Sequence, residues 1–420
     1  MKTVAFYTLG CKVNQYETNA MIEKFVKSGY KIEDFDNKSD IYIINTCTVT
    51  NMSDRKSRQI IRRSKQRNSN SIVVVTGCYA QVATNELEKI GDIDLIIGNT
   101  EKNDIVDIVE MYTINLKKKT IKSDNKAIIN ITDINKQKEF TDFGTTTYTE
   151  KTRAVIKVQD GCNNFCSYCI IPYAKGRVRS RNINSIIKEI KSIVEKGIKE
   201  VVITGIHVAS YGLDFENNIR LIDLLEEINK IEGLKRIRLG SLEPNIITVE
   251  FVERLKKLEK ICDHFHLSLQ SGCTNTLKRM NRKYTAEEFE EVVEILRKVY
   301  PNLAITTDVI VGFPDETDDE FNTTYKFLEK INLYKMHVFK YSQRKGTRAA
   351  IMPNQINGLI KENRSNKLIE LSKRNEKLFL EKYIGTNVEV LFEQEENGYV
   401  KGHTSNYMVV KVKDKNVENN

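Results

Sequence analysis

The chain has 420 residues, of which 40% are hydrophobic and 29% are charged, which is enough apolar material for substantial cores in two or three domains. No uninterrupted apolar stretch is long enough to span a membrane, and the first apolar segment, Val4 to Leu9, is too short for the core of a signal peptide. The net charge of +9 favours a polyanionic partner only where cations cluster. These properties exclude a membrane-embedded or secreted protein and predict a cytoplasmic one.

The N-terminal part of the chain alternates continuous apolar runs with helical segments. Such runs are typical of strands buried in a parallel sheet, so this part predicts an α/β domain with an open sheet, which we place at residues 1–114. The polar and irregular residues 115–150 predict a linker with one added strand. The predicted strands are Val4–Leu9, Ile41–Asn45, Ile72–Thr76 and Ile93–Ile97.

Residues 151–383 repeat a strand followed by a helix six times, which predicts a partial or full parallel barrel. A long charged helix over Asn354–Lys382 follows the last strand and closes this domain. The predicted strands are Ala154–Val158, Glu200–Ile206, Arg236–Leu239, His264–Leu269, Ala304–Val311 and Lys335–Tyr341.

The last residues, 384–420, change to strict alternation of apolar and polar residues. Val388–Phe392, Tyr399–Gly402 and Tyr407–Val412 predict three short strands, separated by turns at Asn397-Gly398 and Ser405-Asn406. A small all-β module therefore ends the chain.

Three cysteines, Cys162, Cys166 and Cys169, follow the first barrel strand at CxxxCxxC spacing. Three thiolates can bind three irons of a 4Fe–4S cluster and leave the fourth iron open for the amino and carboxyl groups of S-adenosylmethionine (SAM). The alternative is a zinc site, which would need a fourth ligand that no nearby His or Cys supplies. The five histidines of the chain have no ligand spacing.

Three further cysteines, Cys11, Cys47 and Cys78, each follow a predicted buried strand directly. Open parallel sheets bind ligands outside the carboxyl ends of their strands, so these thiols could converge on a second cluster. A single cysteine there would more simply be a small buried residue, and Cys262 and Cys273, which lack this regularity, are interpreted as structural.

Two basic segments predict contact with nucleic-acid phosphate, although a solvated charged face is the alternative for each. One is a helix with no Asp or Glu between Asp54 and Glu86, and the other follows the central cysteines. The candidate RNA-binding residues are Arg55, Lys56, Arg58, Arg62, Arg63, Arg177, Arg179 and Arg181.

At these motifs the chain resembles the methylthiotransferases, a family of radical SAM enzymes. The resemblance covers nearly the whole chain and implies an N-terminal domain with an auxiliary 4Fe–4S cluster, a central radical SAM (βα)6-type partial barrel and a C-terminal TRAM module. One usual strand of that module has no counterpart here. The residues Thr8–Thr18, Asn45–Thr50 and Asp54–Gln59 are similar to the branch that acts on N6-threonylcarbamoyladenosine of tRNA.

The resemblance implies two 4Fe–4S clusters and SAM as cofactors, with Cys11, Cys47 and Cys78 binding the auxiliary cluster and the central cysteines binding the radical SAM cluster. It also implies the tRNA anticodon loop as partner, an electron donor for SAM cleavage, and Glu243 and Gln270 as residues that orient SAM.

Three alternatives stay open. Two are the sister branches, which act on isopentenyladenosine in tRNA or on an aspartate of a ribosomal protein. The third is a noncatalytic iron-sulfur protein that binds RNA or senses redox state, which would need no barrel around its clusters.

Overall fold

A computed structural model describes residues 2–118, 126–144 and 152–413 of the chain. It consists of two compact units, the first made of residues 1–148, 159–163 and 169–185, and the second of residues 149–158, 164–168 and 186–420. In the described residues, no helix is both long enough and apolar enough to cross a membrane.

The first unit is built on a six-stranded parallel sheet with the strand order β2-β1-β3-β4-β5-β6. Its strands are β1 (Thr3–Thr8), β2 (Lys31–Glu33), β3 (Ile41–Thr46), β4 (Ile72–Gly77), β5 (Leu95–Ile97) and β6 (Ile128–Asn130). Its main helices are α1 (Lys12–Lys27), α2 (Asn51–Arg67), α3 (Cys78–Val82), α4 (Thr84–Glu88) and α5 (Ile105–Lys117).

Both faces of this sheet are covered by apolar cores, which is why its strands are continuously apolar. Phe25 of α1 and Val109 of α5 pack on one face, and Ile61 of α2 and Tyr79 of α3 pack on the other. The four predicted strands of the open sheet are confirmed, although the last begins two residues later than predicted, at Leu95. The added strand predicted within residues 115–150 is β6, while residues 119–125 and 145–150 lie outside the described part.

The six predicted barrel strands are present and form two sheets, with the strand orders β10-β9-β7-β8 and β11-β12-β13. Parallel pairing joins β9 to β10, β11 to β12 and β12 to β13, and isolated parallel bridges, Ile237 to Ile261 and Leu242 to Leu267, link the two sheets. The short β8 pairs antiparallel to the end of β7. The strands are β7 (Arg153–Asp160), β8 (Arg179–Ser180), β9 (Glu200–Gly205), β10 (Arg236–Leu239), β11 (His264–Gln270), β12 (Ala304–Val311) and β13 (Lys335–Lys340). The helices are α6 (Ile171–Lys175), α7 (Ile183–Glu195), α8 (Leu221–Asn229), α9 (Val249–Leu255), α10 (Thr274–Arg279), α11 (Ala286–Val299), α12 (Asp318–Ile331) and α13 (Gly358–Glu381).

Local sequence explains where the barrel helices begin. Both α11 and α12 start with a capping box, in which a threonine side chain accepts from the backbone N–H of a glutamate three residues later and that glutamate accepts in return. The long helix predicted over residues 354–382 is confirmed as α13, which begins at Gly358 because Asn357 caps it.

The C-terminal module is a three-stranded antiparallel sheet, as predicted from the alternation. Its strands are β14 (Val390–Glu396), β15 (Tyr399–Thr404) and β16 (Val409–Val412), in that order across the sheet. Residues 414–420 are outside the described part of the chain.

This module packs against the amino ends of the barrel strands through a network of buried arginines. Arg236 donates to the carbonyl of His403 at 2.9 Å, and Arg238 donates to the carbonyl of Ser405 at 2.9 Å. Glu200 is fully buried and accepts from Arg238 Nε at 2.7 Å, so it supplies the countercharge for this layer.

An aromatic side chain completes the same layer. The ring of Tyr407 stacks between the imidazoles of His264 and His403, each 4.8 Å away, and the guanidinium of Arg238 lies 4.7 Å from its centre. The base of the barrel is therefore filled by side chains that pair with one another.

We expect Glu200→Gln to lower the free energy of unfolding by about 3–5 kcal/mol, because it leaves Arg238 charged, buried and without its carboxylate. Urea denaturation followed by circular dichroism measures the change. Glu227→Gln, which removes an exposed ion pair with Lys230, should change stability by less than about 1 kcal/mol. Equal effects of the two substitutions would contradict a structural role for the buried network.

Candidate functional site

The three N-terminal cysteines lie at one edge of the first sheet. Strands β1, β3 and β4 are neighbours, and their registers pair Thr8 with Asn45 and Asn45 with Thr76. Cys11, Cys47 and Cys78 each follow the carboxyl end of one of these strands, as the strand pattern predicted. All three are free thiols, and Cys47 and Cys78 are buried whereas Cys11 is exposed.

A glycine brings the first of these cysteines close to the second. Gly10 has a φ of +102°, and a Cβ built on it would lie 2.7 Å from Cβ and 2.9 Å from Sγ of Cys47. Only glycine fits this position, because a side chain would both strain the backbone and collide with the Cys47 thiol. Cys11 is also the N-cap residue of α1.

Burial determines the protonation of the other two thiols. Burial raises the pKa of Cys47, and it raises the pKa of Cys78 to about 12. The charge of Lys175 lowers the pKa of Cys78, whereas the neighbouring sulfurs of Cys47 and Cys11 raise it further. These mutual influences show that the three sulfurs act on one another electrostatically. A bound metal centre would remove the protons, since thiolates are the metal-binding form.

A buried ion triad lies beside Cys78. The carboxylate of Glu17 accepts from Lys175 Nζ at 2.7 and 3.0 Å and also pairs with Lys102, and all three side chains are almost completely inaccessible to solvent. Burial lowers the pKa of Lys102 to about 8. Burial alone would also lower the pKa of Lys175, but Glu17 and then Asp160 hold it above its ordinary value.

The triad thus sets two lysine side chains against a single carboxylate. A buried positive charge next to Cys78 stabilises a thiolate, and it would offset part of the negative charge that a thiolate-bound cluster brings into the low-dielectric interior. Sequence reasoning missed this triad, because residues 17, 102 and 175 belong to three different elements.

The central cysteines lie in the loop after β7. The backbone N–H of Cys162 donates to the carbonyl of Gly176 at 3.0 Å, which fixes the start of this loop. Cys166 is buried, and its Sγ accepts from Arg282 Nη1 at 3.3 Å. The guanidinium of Arg282 is thus in direct contact with one of the three central sulfurs.

A polar cluster gathers around Glu243 in the second unit. This buried carboxylate accepts from Asn164 Nδ2 at 2.8 Å, and it lies 2.8 Å from Arg282 Nη2 and 3.0 Å from His207 Nε2. Burial alone would raise the pKa of Glu243, but the His207 hydrogen bond and the Arg282 charge hold it below its ordinary value. Glu243 is therefore a carboxylate at neutral pH.

Gln270, the second predicted SAM-orienting residue, ends β11 with a φ of +72° and is buried. The sequence analysis did not select Asn164, His207 or Arg282. The signal that could have indicated His207 is its position after β9, and for Asn164 it is its place in the cysteine loop, whereas Arg282 follows α10 and carries no such signal.

The basic helix α2 divides into paired and unpaired cations. Arg63 and Arg67 form ion pairs with Asp36, and Lys65 forms one with Asp94 at 2.8 Å. Arg58 donates to the Tyr79 hydroxyl at 2.8 Å. Within the described part of the chain, the remaining cations Arg55, Lys56 and Arg62 are exposed and form no ion pair.

These side chains border an open surface groove. Its volume is about 630 Å³, and it is lined by Arg55, Arg58, Gln59, Arg62, Arg63 and Gln66. A groove lined only by arginine and glutamine side chains offers hydrogen-bond donors to phosphate and no carboxylate to repel it.

The second basic segment behaves differently from the sequence prediction. Arg177 is exposed, but Arg179 and Arg181 are buried. Arg179 donates to the carbonyls of Lys175 and Arg177, each at 2.9 Å, and Arg181 forms an ion pair with Asp142 at 3.1 Å. Because both guanidinium groups are used inside the first unit, their burial argues against direct contact with RNA.

Comparison with known proteins identifies the family. Residues 156–328 match the radical SAM superfamily, and residues 3–98 match a family described as Uncharacterized protein family UPF0004. The chain is 42% identical to the threonylcarbamoyladenosine tRNA methylthiotransferase MtaB of Bacillus subtilis, over 98% of this chain and 90% of the relative. The chain belongs to the methylthiotransferase family. This methylthiotransferase is also 43% identical to the MtaB protein of Aquifex aeolicus. The alignment covers 97% of this chain and 96% of the Aquifex protein.

A sister enzyme is less similar. The tRNA-2-methylthio-N(6)-dimethylallyladenosine synthase of Clostridium tetani is 34% identical to this methylthiotransferase, over 92% of its length and 84% of the relative's. Among solved structures, the radical SAM methyltransferase TsrM from Kitasatospora setae, with cobalamin and a 4Fe–4S cluster bound, has a TM-score of 0.62 at 15% identity. That match covers 83% of this chain and 77% of TsrM, and it shows that the fold is shared.

The residues present fit two 4Fe–4S clusters. Each set supplies three free thiols, the ligand type that iron-sulfur clusters require. No three His, Cys, Asp or Glu side chains in the described residues are close enough to ligate a single metal ion. A four-iron cluster does not need such convergence, because it takes one thiolate at each iron rather than several at one ion.

We expect the three N-terminal thiols, those of Cys11, Cys47 and Cys78, to react in a fixed order when the cluster-free protein is treated with iodoacetamide at pH 8. Cys11 should react first because it is exposed, and Cys78 last because burial hides its thiol and raises its pKa to about 12. Peptide mass spectrometry measures the order. After cluster loading, Cys11 should become protected although solvent reaches it, and continued alkylation of Cys11 in loaded protein would contradict its role as a ligand.

Proposed function

We propose that this methylthiotransferase adds a methylthio group to carbon 2 of N6-threonylcarbamoyladenosine at position 37 of tRNA. The observation that carries the chemistry is the presence of two separate sets of three cysteines, one at the carboxyl ends of three parallel strands and the other in the loop after β7. The choice of substrate follows the MtaB relatives, which are 42–43% identical to this chain, against 34% for the dimethylallyladenosine enzyme.

Two 4Fe–4S clusters and SAM are the cofactors. We assign Cys11, Cys47 and Cys78 to the auxiliary cluster and Cys162, Cys166 and Cys169 to the radical SAM cluster. When bound, these groups supply the reductive cleavage of SAM and the sulfur that is transferred. We assign the auxiliary cluster to a domain at residues 1–114, SAM chemistry to residues 151–383 and RNA binding to the module at 384–420, with residues 115–150 as linker.

The chain's own groups prepare the site for these cofactors. Arg282 donates to Cys166 and pairs with Glu243, so one guanidinium links a cluster ligand to a carboxylate held by three partners. A carboxylate at this position can accept from the SAM ammonium group, and Gln270 offers both a donor and an acceptor. An electron donor is required as a further partner, and we place the enzyme in the cytoplasm, where tRNA is modified.

The decisive experiment is anaerobic reconstitution of the clusters followed by reaction with SAM, a strong reductant and tRNA that contains threonylcarbamoyladenosine. Mass spectrometry of the digested nucleosides should show a methylthio addition. Cys162→Ala should abolish both SAM cleavage and the product, whereas Cys47→Ala should abolish the product and retain SAM cleavage, because only the auxiliary cluster is disturbed.

Other outcomes separate the alternatives. SAM cleavage with unmodified threonylcarbamoyladenosine would overturn the substrate assignment, and parallel reactions with dimethylallyladenosine-containing tRNA and with the ribosomal protein would identify the correct branch. An absence of SAM cleavage in a cluster-loaded sample would favour a noncatalytic iron-sulfur protein.

The exposed cations of α2 should contribute to tRNA binding. Replacing Arg55, Lys56 and Arg62 together by alanine should weaken tRNA binding and reduce the slope of log K against log salt concentration by about 2–3, because up to three phosphate contacts are lost. Fluorescence anisotropy at several salt concentrations measures both quantities. Arg63→Ala is the control, since Arg63 is already paired with Asp36 and its loss should change the slope by less than about 1. An unchanged slope in the triple variant would exclude this surface from RNA binding.

A further inference from the structure

The inner face of the barrel carries polar side chains at three levels. The lowest level is formed by Glu200, Arg236 and His264, which are the first residues of β9, β10 and β11. The highest level is the mouth, where Glu243 and Gln270 follow the strands. A third level lies between the base and the mouth, and none of its side chains is assigned to a cluster or to SAM. It consists of His266, Asp308 and His337.

Strand register brings these three side chains together. His266 pairs with Thr306 across β11 and β12, and Asp308 pairs with His337 across β12 and β13. The Nε2 atom of His266 lies 3.3 Å from the Asp308 carboxylate, and the two imidazole rings are 5.9 Å apart.

The position of the His337 side chain follows from its neighbour on β11. The ring of His337 lies 5.9 Å from the ring of His266. His266 and His264 lie on the same face of β11, because side chains alternate along a strand, and His264 stacks on Tyr407 at the base of the barrel. His337 therefore lies on the inner face of the barrel. It is exposed there although it lies in the middle of a barrel strand.

The middle level differs from the base in the pairing of its side chains. At the base, Arg238 is bonded to Glu200 and to carbonyls of the C-terminal module. In the middle level, His266 uses one nitrogen for the Thr306 hydroxyl at 2.9 Å and has the other 3.3 Å from the Asp308 carboxylate. The ring of His337, in contrast, has no hydrogen-bond partner among the described residues, and 31% of the Asp308 side chain remains accessible.

We propose that His266, Asp308 and His337 form the subsite that reads the substituent on N6 of the target adenosine, with His337 as the main specificity-determining residue. This proposal rests on the proposed function and names the part of the site that selects the substrate. His266 lies four residues, or about 13 Å, below the end of β11. A purine that enters at the mouth with its substituent leading can span this depth.

The chemistry of the subsite matches a threonylcarbamoyl group. That group carries a carboxylate and a urea carbonyl, which accept hydrogen bonds, and a hydroxyl and urea N–H groups, which donate them. An imidazole N–H can donate to the carboxylate or the urea carbonyl, and the Asp308 carboxylate can accept from the hydroxyl or the urea N–H groups. An apolar dimethylallyl group would cover the same side chains without pairing them, and burying unpaired polar groups is costly.

A polar subsite and an apolar subsite differ in how strongly they reject the wrong substrate. A site built to hydrogen-bond its ligand strongly rejects an analogue that lacks the partner groups, whereas an apolar pocket discriminates only weakly. Replacing His337 by phenylalanine should therefore both weaken the reaction with the polar substrate and relax the exclusion of the apolar one.

The test compares the wild-type holoenzyme with His337→Phe and His337→Asn on anticodon stem-loops that carry threonylcarbamoyladenosine, dimethylallyladenosine or unmodified adenosine at one position. Methylthio products are quantified by mass spectrometry, and equilibrium binding is measured by anisotropy. Lys340→Ala is the matched control, because Lys340 lies on the outer face of the same strand and pairs with Glu362. SAM cleavage without RNA reports whether each variant is folded and loaded.

We expect His337→Phe to lower kcat/KM on the threonylcarbamoyl substrate by about 10- to 100-fold and to shift the preference towards the dimethylallyl substrate. His337→Asn should recover part of the preference, since it keeps a donor, and Lys340→Ala should match the wild type. SAM cleavage without RNA should match the wild type in Lys340→Ala, and the selectivity of each His337 variant is read only where SAM cleavage shows that the clusters are loaded.

If His337→Phe still cleaves SAM and has the wild-type ratio of kcat/KM values for the two modified stem-loops, the proposed subsite is wrong and the proposed function is unaffected. Wild-type enzyme that methylthiolates only the dimethylallyl or the unmodified stem-loop would overturn the proposed function itself, and the subsite with it.

Discussion

The carboxyl ends of parallel strands are the constraint on which both sites depend. A parallel sheet places all of these ends at one edge, so residues that are distant in sequence become neighbours without any local motif. In the first unit this brings Cys11, Cys47 and Cys78 together across β1, β3 and β4. In the second unit the same rule brings Glu243, which follows β10, to His207, which follows β9, at a distance of 3.0 Å. One topological property thus underlies both proposed cofactor sites.

The strands and the thiols were predictable because their signals are local and strong. A continuous apolar run identifies a buried parallel strand, and a cysteine directly after it is placed at the sheet edge by topology alone. The added strand β6 and the three strands of the C-terminal module followed from the same reasoning.

What the sequence could not indicate was the partner of each charge. Arg179 and Arg181 have the same appearance in the sequence as the exposed Arg177, yet both are buried and paired within the first unit. The Glu17 triad and the His266–Asp308–His337 level depend on contacts between distant elements. Composition and spacing describe how many charges a segment carries, whereas burial and pairing are decided by tertiary structure.

The position of Tyr407 makes the barrel depend on a part of the chain that is distant in sequence. This residue lies between β15 and β16, yet its ring fills the base of the barrel between His264 and His403. The backbone carbonyls of His403 and Ser405 accept from Arg236 and Arg238, so the C-terminal module supplies partners for two barrel side chains. The barrel and the module are therefore expected to unfold in a single cooperative step, because neither can lose its structure without leaving buried polar groups of the other unpaired.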